Sequence, residues 1–283
     1  MAPSKRLKKI LESIGISTIL LAGTSFYISY RLLHPQRRKQ EQTPKNFGLK
    51  YKDVEFKSED GTLLKGYLVK AKNTKGLIIL SHGYSYDKQS MLPAAKELYK
   101  HDYSSLLFDY RAHGESGGHK TTIGFLEQED LISAIDFAKH FSKKIGVFGI
   151  SMGAATSIFV GEKTTGLTCI ISDSSFADLK EAIYHKLPVL RDIIVKFMEF
   201  QGVNFKKTKP ISVANKIPIP IFFIHGDKDA LIPFQDSVKL YNKVKAPKKL
   251  WIVKGGQHGR AYFVDKGKYS KKIAGFLDKY FLV

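Results

Sequence analysis

Residues 144–161, KIGVFGISMGAATSIFVG, constrain the fold of this 283-residue chain more than any other stretch. A short apolar run, Ile145–Ile150, leads into GISMG at 149–153, and small residues follow at helical spacing. This G-x-S-x-G pattern is typical of a strand that turns sharply into a helix and holds a serine hydroxyl clear of the backbone. Glycines on both sides of the serine lack a Cβ, so the turn can close tightly. Ser151 is therefore the candidate nucleophile, unless the five-residue pattern is a chance match.

Strand-like and helix-like stretches alternate along most of the chain. Short apolar runs predict strands at 54–56, 63–69, 77–80, 105–108, 145–150, 167–172, 219–225 and 250–253. Helical periodicity predicts helices at 89–100, 125–141, 235–244 and 269–281, besides the helix after the elbow. This alternation predicts an α/β fold with a mainly parallel central sheet and helices on both faces.

Residues 174–216 interrupt the alternation. They contain more apolar residues than one helix needs to cover a sheet, which predicts a small helical cap over the site. An ordinary crossover with an extra turn is the alternative, because Pro188 and Pro210 would break either arrangement. We expect substrate specificity to depend on this segment and on side chains of the loops around the site.

An acid and a histidine follow later strands in the order that the elbow requires. The segment HGDKDALIP at 225–233 ends one predicted strand, and GGQHG at 255–259 follows the last. His258 can take the proton of Ser151, and a carboxylate can fix the tautomer of its ring. Asp227 and Asp229 are both available, and we choose Asp229.

From residue 52 to residue 283 the chain resembles the α/β-hydrolase superfamily, and more narrowly its bacterial membrane-anchored or exported serine hydrolases of unassigned substrate. The matching features are the elbow, the HGxxDxxIP segment, the histidine in a Gly-rich loop, His-Gly at 82–83 and the DxRxHGxS loop at 109–116. The resemblance implies a catalytic triad of Ser151, Asp229 and His258. It also implies an oxyanion hole formed by the backbone amides of Tyr84 and Met152.

The remaining polar residues of these motifs are assigned supporting roles. The resemblance makes Asp227 a turn residue, and it places three further histidines at positions that the superfamily uses structurally, namely His82, His113 and His225. We expect a serine hydrolase that cleaves a carboxylic ester, thioester or amide of a small-molecule acyl substrate through an acyl-enzyme. An acyltransferase or serine peptidase with the same triad and a non-catalytic, membrane-tethered binding protein are the alternatives.

The N-terminal segment predicts contact with a membrane. Basic residues in 1–12 precede an uncharged stretch at 13–30, which is just long enough to span a bilayer as a helix. We therefore predict an uncleaved anchor at 1–33, a polar linker at 34–50 and the hydrolase domain at 51–283, with a cleaved signal peptide or a helix packed on the domain as alternatives. Because the first basic flank usually dominates orientation, we expect the catalytic domain outside the cytoplasm.

Charge and cysteine content limit the partners. The formal net charge of +20 comes from lysines scattered along the chain without a basic-aromatic repeat, so we expect anionic lipid rather than nucleic acid to attract it. Cys169 is the one cysteine and lies in an apolar run, which predicts a buried strand position. No sequence pattern predicts a metal site or an organic cofactor. The sequence leaves the oligomeric state open.

Overall fold

The computed structural model describes residues 5–282. Its strands are β1 (Tyr51–Lys57), β2 (Leu63–Val69), β3 (Gly76–Ser81), β4 (Tyr103–Phe108), β5 (Ile145–Ile150), β6 (Leu167–Asp173), β7 (Ile221–Gly226) and β8 (Lys248–Val253). Its helices are α1 (Lys5–Leu33), α2 (Leu92–Lys100), α3 (Glu127–Lys139), α4 (Met152–Lys163), α5 (Leu179–Lys186), α6 (Arg191–Phe200), α7 (Gln235–Lys243), α8 (Ala261–Val264) and α9 (Lys266–Phe281).

Within the described residues, the strands form one eight-stranded sheet in the order β1-β2-β4-β3-β5-β6-β7-β8. β2 pairs antiparallel with β1 and β4, and β3 to β8 run parallel. The predicted α/β class with a mainly parallel sheet is confirmed. The parallel arrangement places the carboxyl ends of the strands at one edge, where loops from distant parts of the sequence meet.

The sheet is covered on both faces. Every residue of β3 and β4 is buried, as expected for strands between two helical layers. One apolar cluster joins the sheet to α3 and α4, and a second joins its other face to α2 and α9. Cys169 lies in this second cluster and is fully buried, as the apolar run predicts.

The helical cap consists of α5, α6 and three short 3-10 turns between residues 205 and 216. Pro188 lies in the turn between the two helices, and Pro210 begins one of the 3-10 turns. The inner face of α6 carries Ile194, Val195 and Met198, which join the main apolar cluster. The segment therefore packs on the core, although it places two helices and three 3-10 turns between β6 and β7 instead of a single helix.

Residues 34–50 lie against the body. The Arg37 guanidinium donates hydrogen bonds to several carbonyl groups of the 113–118 loop, among them Gly114 O at 3.0 Å and Gly118 O at 2.8 Å. Arg38 Nε donates to Ser85 O at 2.9 Å. These contacts tie the polar segment predicted as a linker to the loops beside the candidate site.

The turn after β5 has the strained geometry that the GISMG pattern predicts. Ser151 has a φ of 54°, in the region that side chains with a Cβ rarely adopt. A Cβ on Gly149 would lie 2.4 Å from the carbonyl carbon of Gly153, and one on Gly153 would lie 2.2 Å from Ser81 O. Both glycines are thus required by close backbone contact.

We expect Gly153→Ala to lower the free energy of unfolding by about 3 kcal/mol or more, because the Ser81 backbone cannot move aside without distorting β3. Gly275→Ala is the matched control: an added Cβ in this exposed helical position contacts nothing within 4 Å. That variant should be stabilised by about 0.5–1 kcal/mol through its higher helix propensity. Urea unfolding of the two variants measures both effects, and equal stabilities would contradict the steric argument.

Candidate active site

Three loops at the carboxyl edge of the sheet bring the predicted Ser151, Asp229 and His258 together. Ser151 follows β5, Asp229 follows β7 and His258 follows β8. The Ser151 Oγ lies 2.9 Å from His258 Nε2, and His258 Nδ1 lies 2.7 Å from Asp229 Oδ2. In this chain of hydrogen bonds the imidazole can accept the serine proton while the carboxylate orients the ring and stabilises its charged form.

Asp229 is a fully satisfied, buried carboxylate. Its Oδ1 accepts hydrogen bonds from the backbone N–H groups of Leu231 and Ile232, both at 2.9 Å. Its Oδ2 accepts from His225 Nε2 at 3.0 Å besides the bond from His258. Burial acts to raise the pKa of Asp229, but the bonds from His225 and His258 outweigh it and hold the pKa well below its ordinary value. Asp229 is therefore ionised at neutral pH.

His225 has a more specific position than the sequence alone suggests. Its ring is fully buried at the end of β7, and its Nδ1 accepts a hydrogen bond from Ser237 Oγ at 2.7 Å. The other ring nitrogen, Nε2, faces the Asp229 carboxylate and Ile232 O, so it carries the proton. His225 thus positions the carboxylate from the side opposite His258.

The other acid and histidines of the motifs have separate contacts. Asp227 Oδ1 accepts a hydrogen bond from Gly255 N–H at 2.6 Å and so joins the loops after β7 and β8. His82 Nε2 accepts from Tyr110 N–H at 3.0 Å, and His113 Nε2 accepts from Ser85 N–H at 3.2 Å. Burial lowers the pKa of both histidines, which favours the neutral rings that these contacts need.

A second network, which the sequence analysis missed, supports the His258 loop. The Oγ of Ser174 accepts a hydrogen bond from Gly259 N–H at 3.1 Å and donates to Asp173 Oδ1 at 2.8 Å. Asp173 Oδ2 in turn accepts from Tyr269 OH at 2.7 Å, and burial raises the pKa of this carboxyl group. The available signal was the position of Asp173 at the end of a strand, at the same sheet edge as Ser151.

The two predicted oxyanion-hole residues flank the serine. Met152 is the first residue of α4, and Tyr84 follows Gly83, whose Cβ position would lie 3.4 Å from Ser151 Cβ. Among contacts within residues 5–282, neither the Tyr84 nor the Met152 N–H donates to a protein acceptor. Both amides can therefore donate to a ligand atom.

A cavity of about 500 Å³ opens onto Ser151 and His258. It is lined mainly by apolar and aromatic side chains, and its largest are Phe47, Tyr84, Tyr86, Met91, Leu231 and Phe263. Within the described part of the chain, no residue of 174–216 lines it. The helix α6 of this segment packs against α1 and the core instead, and the predicted part of the segment in substrate specificity stays a prediction. Gln42 and Phe47 of the 34–50 segment are among the residues that line the cavity.

Metal ligands are not clustered in the described residues. Between residues 5 and 282, no group of three or more His, Cys, Asp or Glu side chains is arranged to hold a metal ion. The ionisable groups at the sheet edge are instead occupied by the hydrogen bonds described above.

The sheet topology, the strained serine turn and the hydrogen-bonded Ser, His and Asp side chains define the class of α/β-hydrolases. Residues 72–212 match the family described as serine aminopeptidase, S33. The chain is 28% identical to the Bacillus subtilis protein YqkD over 96% of this chain and 98% of the relative. It is 30% identical to Escherichia coli YfhR over 79% of each chain. An esterase from Pyrococcus furiosus superposes with a TM-score of 0.78 and 28% identity, covering 88% of this chain and 98% of that structure.

The chain therefore belongs to the α/β-hydrolase superfamily, and it is an enzyme of the esterase-like kind. Its relatives support esterase-like or peptidase-like hydrolysis in general terms.

Proposed function

We propose that this enzyme is a serine hydrolase that cleaves a carboxylic ester, thioester or amide through an acyl-enzyme on Ser151. His258 removes the hydroxyl proton as Ser151 attacks the carbonyl carbon, and it returns the proton to the leaving group. Water, deprotonated by the same ring, then releases the acid and regenerates Ser151. The observation that carries this proposal is the continuous hydrogen-bonded path from Ser151 Oγ to Asp229 Oδ2.

Two backbone amides complete the proposed mechanism. The N–H groups of Tyr84 and Met152 are assigned to the negative charge that develops on the carbonyl oxygen. Each such donor contributes about 3–4 kcal/mol of transition-state stabilisation in hydrolases of this chemistry. Their lack of a protein acceptor within residues 5–282 supports this role.

The cavity favours an ester substrate over a peptide with a free amino terminus. An aminopeptidase must bind the α-ammonium group of its substrate, which a nearby carboxylate does best. Among the described residues that line the cavity, none is acidic, and the one charged lining residue of fixed sign is Arg260. A buried ammonium group would therefore lose its hydration without gaining a partner.

The chemical preference can be measured with paired substrates. We expect p-nitrophenyl esters of short and medium acyl chains to be hydrolysed with a kcat/KM at least about 100-fold above that of aminoacyl p-nitroanilides, after correction for the difference in intrinsic reactivity. The expected ratio corresponds to about 2.7 kcal/mol, within the cost of an unpaired buried polar group. A preference for the aminoacyl substrates would instead support the peptidase alternative.

We also propose that α1 anchors the enzyme in a membrane. Leu11–Leu33 is long and apolar enough to span a bilayer. A helix of this kind near an N-terminus is also compatible with a signal sequence. The packing of the end of α1 on the body, where Ser25, Ser29 and Leu33 are fully buried, favours retention. We expect the membrane-bound enzyme to retain residues 1–33, and a mature N-terminus after Ala22, read by N-terminal sequencing, would contradict the anchor.

A further inference from the structure

The cap helix α6 lies alongside the apolar helix α1. The rings of Phe26 and Phe197 meet edge to face with centroids 5.4 Å apart, and Gln201 Nε2 donates to Ser29 Oγ at 2.8 Å. From Phe26 to Ser29 the chain advances along α1, and the matching contacts advance from Phe197 to Gln201 along the cap. The two helices therefore run in the same direction. Two small residues spaced four apart, Ser25 and Ser29, allow the close approach.

Because α6 packs against α1, the cap must lie close to any bilayer that α1 enters. In α1 the continuously exposed part of the apolar stretch is 11–21, which as a helix is about 16 Å long. A bilayer core is about 30 Å thick, so 11–21 alone covers roughly half of it. The remaining apolar turns of α1 are those that α6 packs against. When α1 enters a bilayer by its free part at 11–21, the cap helix packed against the next turns therefore lies at the membrane interface.

The cap surface beside α1 exposes three large apolar side chains among charged neighbours such as Lys196. Val189 is 74% exposed and Phe200 is 84% exposed, and Ile193 between them is also exposed. At 1.5 Å per residue, the start of α6 lies about 9 Å from the level of Phe197, toward the N-terminus of α1. Val189, which precedes α6, therefore lies farthest along α1 in the direction of the bilayer.

Charged side chains next to this surface suit a membrane interface. Lys186 and Arg191 are exposed on either side of the apolar turn 187–190. The long Lys186 side chain can keep its apolar stem in the interface and extend its charge to lipid phosphates. The Arg191 guanidinium lies 4.6 Å from the centre of the Tyr184 ring and its Nε lies 3.9 Å from Asp192 Oδ2. The neighbouring Asp192 carboxylate is occupied by Tyr184 OH at 2.5 Å.

We infer that the α5–α6 turn and the outer face of α6 form a membrane-docking surface that inserts into the interface of a phospholipid bilayer beside α1. The surface consists of Val189, Ile193 and Phe200. It goes beyond hydrolysis, and it rests on the proposed anchoring role of α1. Its physical basis is the burial of exposed apolar side chains at the boundary between headgroups and acyl chains.

Fluorescent labelling of the full chain tests this surface. Cys169 is fully buried, so a thiol-reactive nitrobenzoxadiazole dye will modify a cysteine introduced at the surface of the folded protein. Variants Val189→Cys and Phe200→Cys report on the docking surface. Phe141→Cys is the matched control, because Phe141 is an exposed aromatic residue beside the amino ends of the strands. Each labelled protein is mixed with vesicles of phosphatidylethanolamine and phosphatidylglycerol and floated through a density gradient.

We expect the protein to float and the dyes at 189 and 200 to emit at shorter wavelength, with quenching by lipid-attached nitroxide greater at 189 than at 200. The dye at 141 should stay in water. Flotation with all three dyes in water would overturn the docking surface and leave the anchor intact, whereas loss of flotation would overturn both. A blue shift at 189 without vesicles that grows with protein concentration would also overturn the inference, because a second copy of the chain would then cover this face.

Discussion

Replacement of Ser151 by alanine is expected to abolish covalent labelling by a fluorophosphonate probe and to reduce kcat on the order of 10⁶-fold. Fluorophosphonates react with a serine only when a neighbouring base removes its proton, and His258 Nε2 lies 2.9 Å from the Ser151 hydroxyl. Alanine removes the nucleophile and leaves the backbone turn as it is. Its Cβ replaces that of serine at the same strained φ, so the variant should unfold at nearly the same temperature.

Ser90→Ala is the matched control for this experiment. Ser90 also lines the cavity, but its hydroxyl donates to Asp87 O at 2.6 Å and has no imidazole partner. That variant should label like the wild type. Labelling of the Ser151→Ala protein would show that another serine reacts. A folded wild-type enzyme that resists the probe would favour a binding protein on a hydrolase scaffold.

Asp229→Asn is expected to lower kcat by about 10⁴-fold. The Asn amide can present an N–H to His258 Nδ1, which would hold the ring in the tautomer that cannot accept the Ser151 proton. The charge that stabilises the imidazolium is lost as well. Hydrolysis of p-nitrophenyl acetate measures the effect, and circular dichroism checks the fold, since a buried carboxylate with four hydrogen bonds is being replaced.

Variants of two residues near Asp229, Asp227 and His225, serve as comparisons for the Asp229→Asn result. Asp227→Asn retains an acceptor for Gly255 N–H, so kcat should change by no more than about twofold. His225→Asn removes the second ring donor to Asp229, and we expect about a tenfold loss from one charge-assisted hydrogen bond. His225→Gln, whose amide can extend to the carboxylate, should recover part of that loss. A larger effect at Asp227 than at Asp229 would overturn the choice of acid.

The cavity beside Ser151 is lined in part by residues that follow α1. Gln42 and Phe47 line the cavity. The Oε1 of Gln89 accepts hydrogen bonds from the N–H groups of Glu41 and Gln42 at 2.8 and 2.7 Å, which hold this part of the segment in place. The same polar segment continues from α1. The proposed membrane anchor and the cavity beside Ser151 are therefore joined by a short, hydrogen-bonded stretch.

Much of the fold could be predicted from the sequence, because apolar runs, turn glycines and helical periodicity are features of short stretches. The apolar run Ile145–Ile150 is almost entirely buried, as its composition predicts, and the turn glycines at 149 and 153 are explained by their missing Cβ atoms. Strands β2 and β5 have the predicted bounds, and most other elements differ by a few residues at their ends. The four-residue helix α8 was missed, since a single turn has no periodicity to detect.

The contacts that shape the site join residues of different loops and could not be predicted from local sequence. His225 and the Asp173–Ser174 pair acquire their roles from hydrogen bonds to loops far away in the sequence, and no spacing rule specifies those partners. The contribution of Phe47 to the cavity, and the turning of α6 toward α1, depend on how surfaces pack.

By itself the sequence determined the alternation of strands and helices, the strained turn at Ser151, and the order of acid and base along the chain. The alternation and the turn depend on hydrophobic periodicity and on backbone sterics within a few residues, whereas the order of acid and base is what the resemblance to the superfamily implies. The tertiary structure alone decided which histidine supports the carboxylate, which segment lines the cavity, and which face of the cap lies beside α1. Those features arise from contacts between residues distant in sequence, where packing and desolvation act only after the chain has folded.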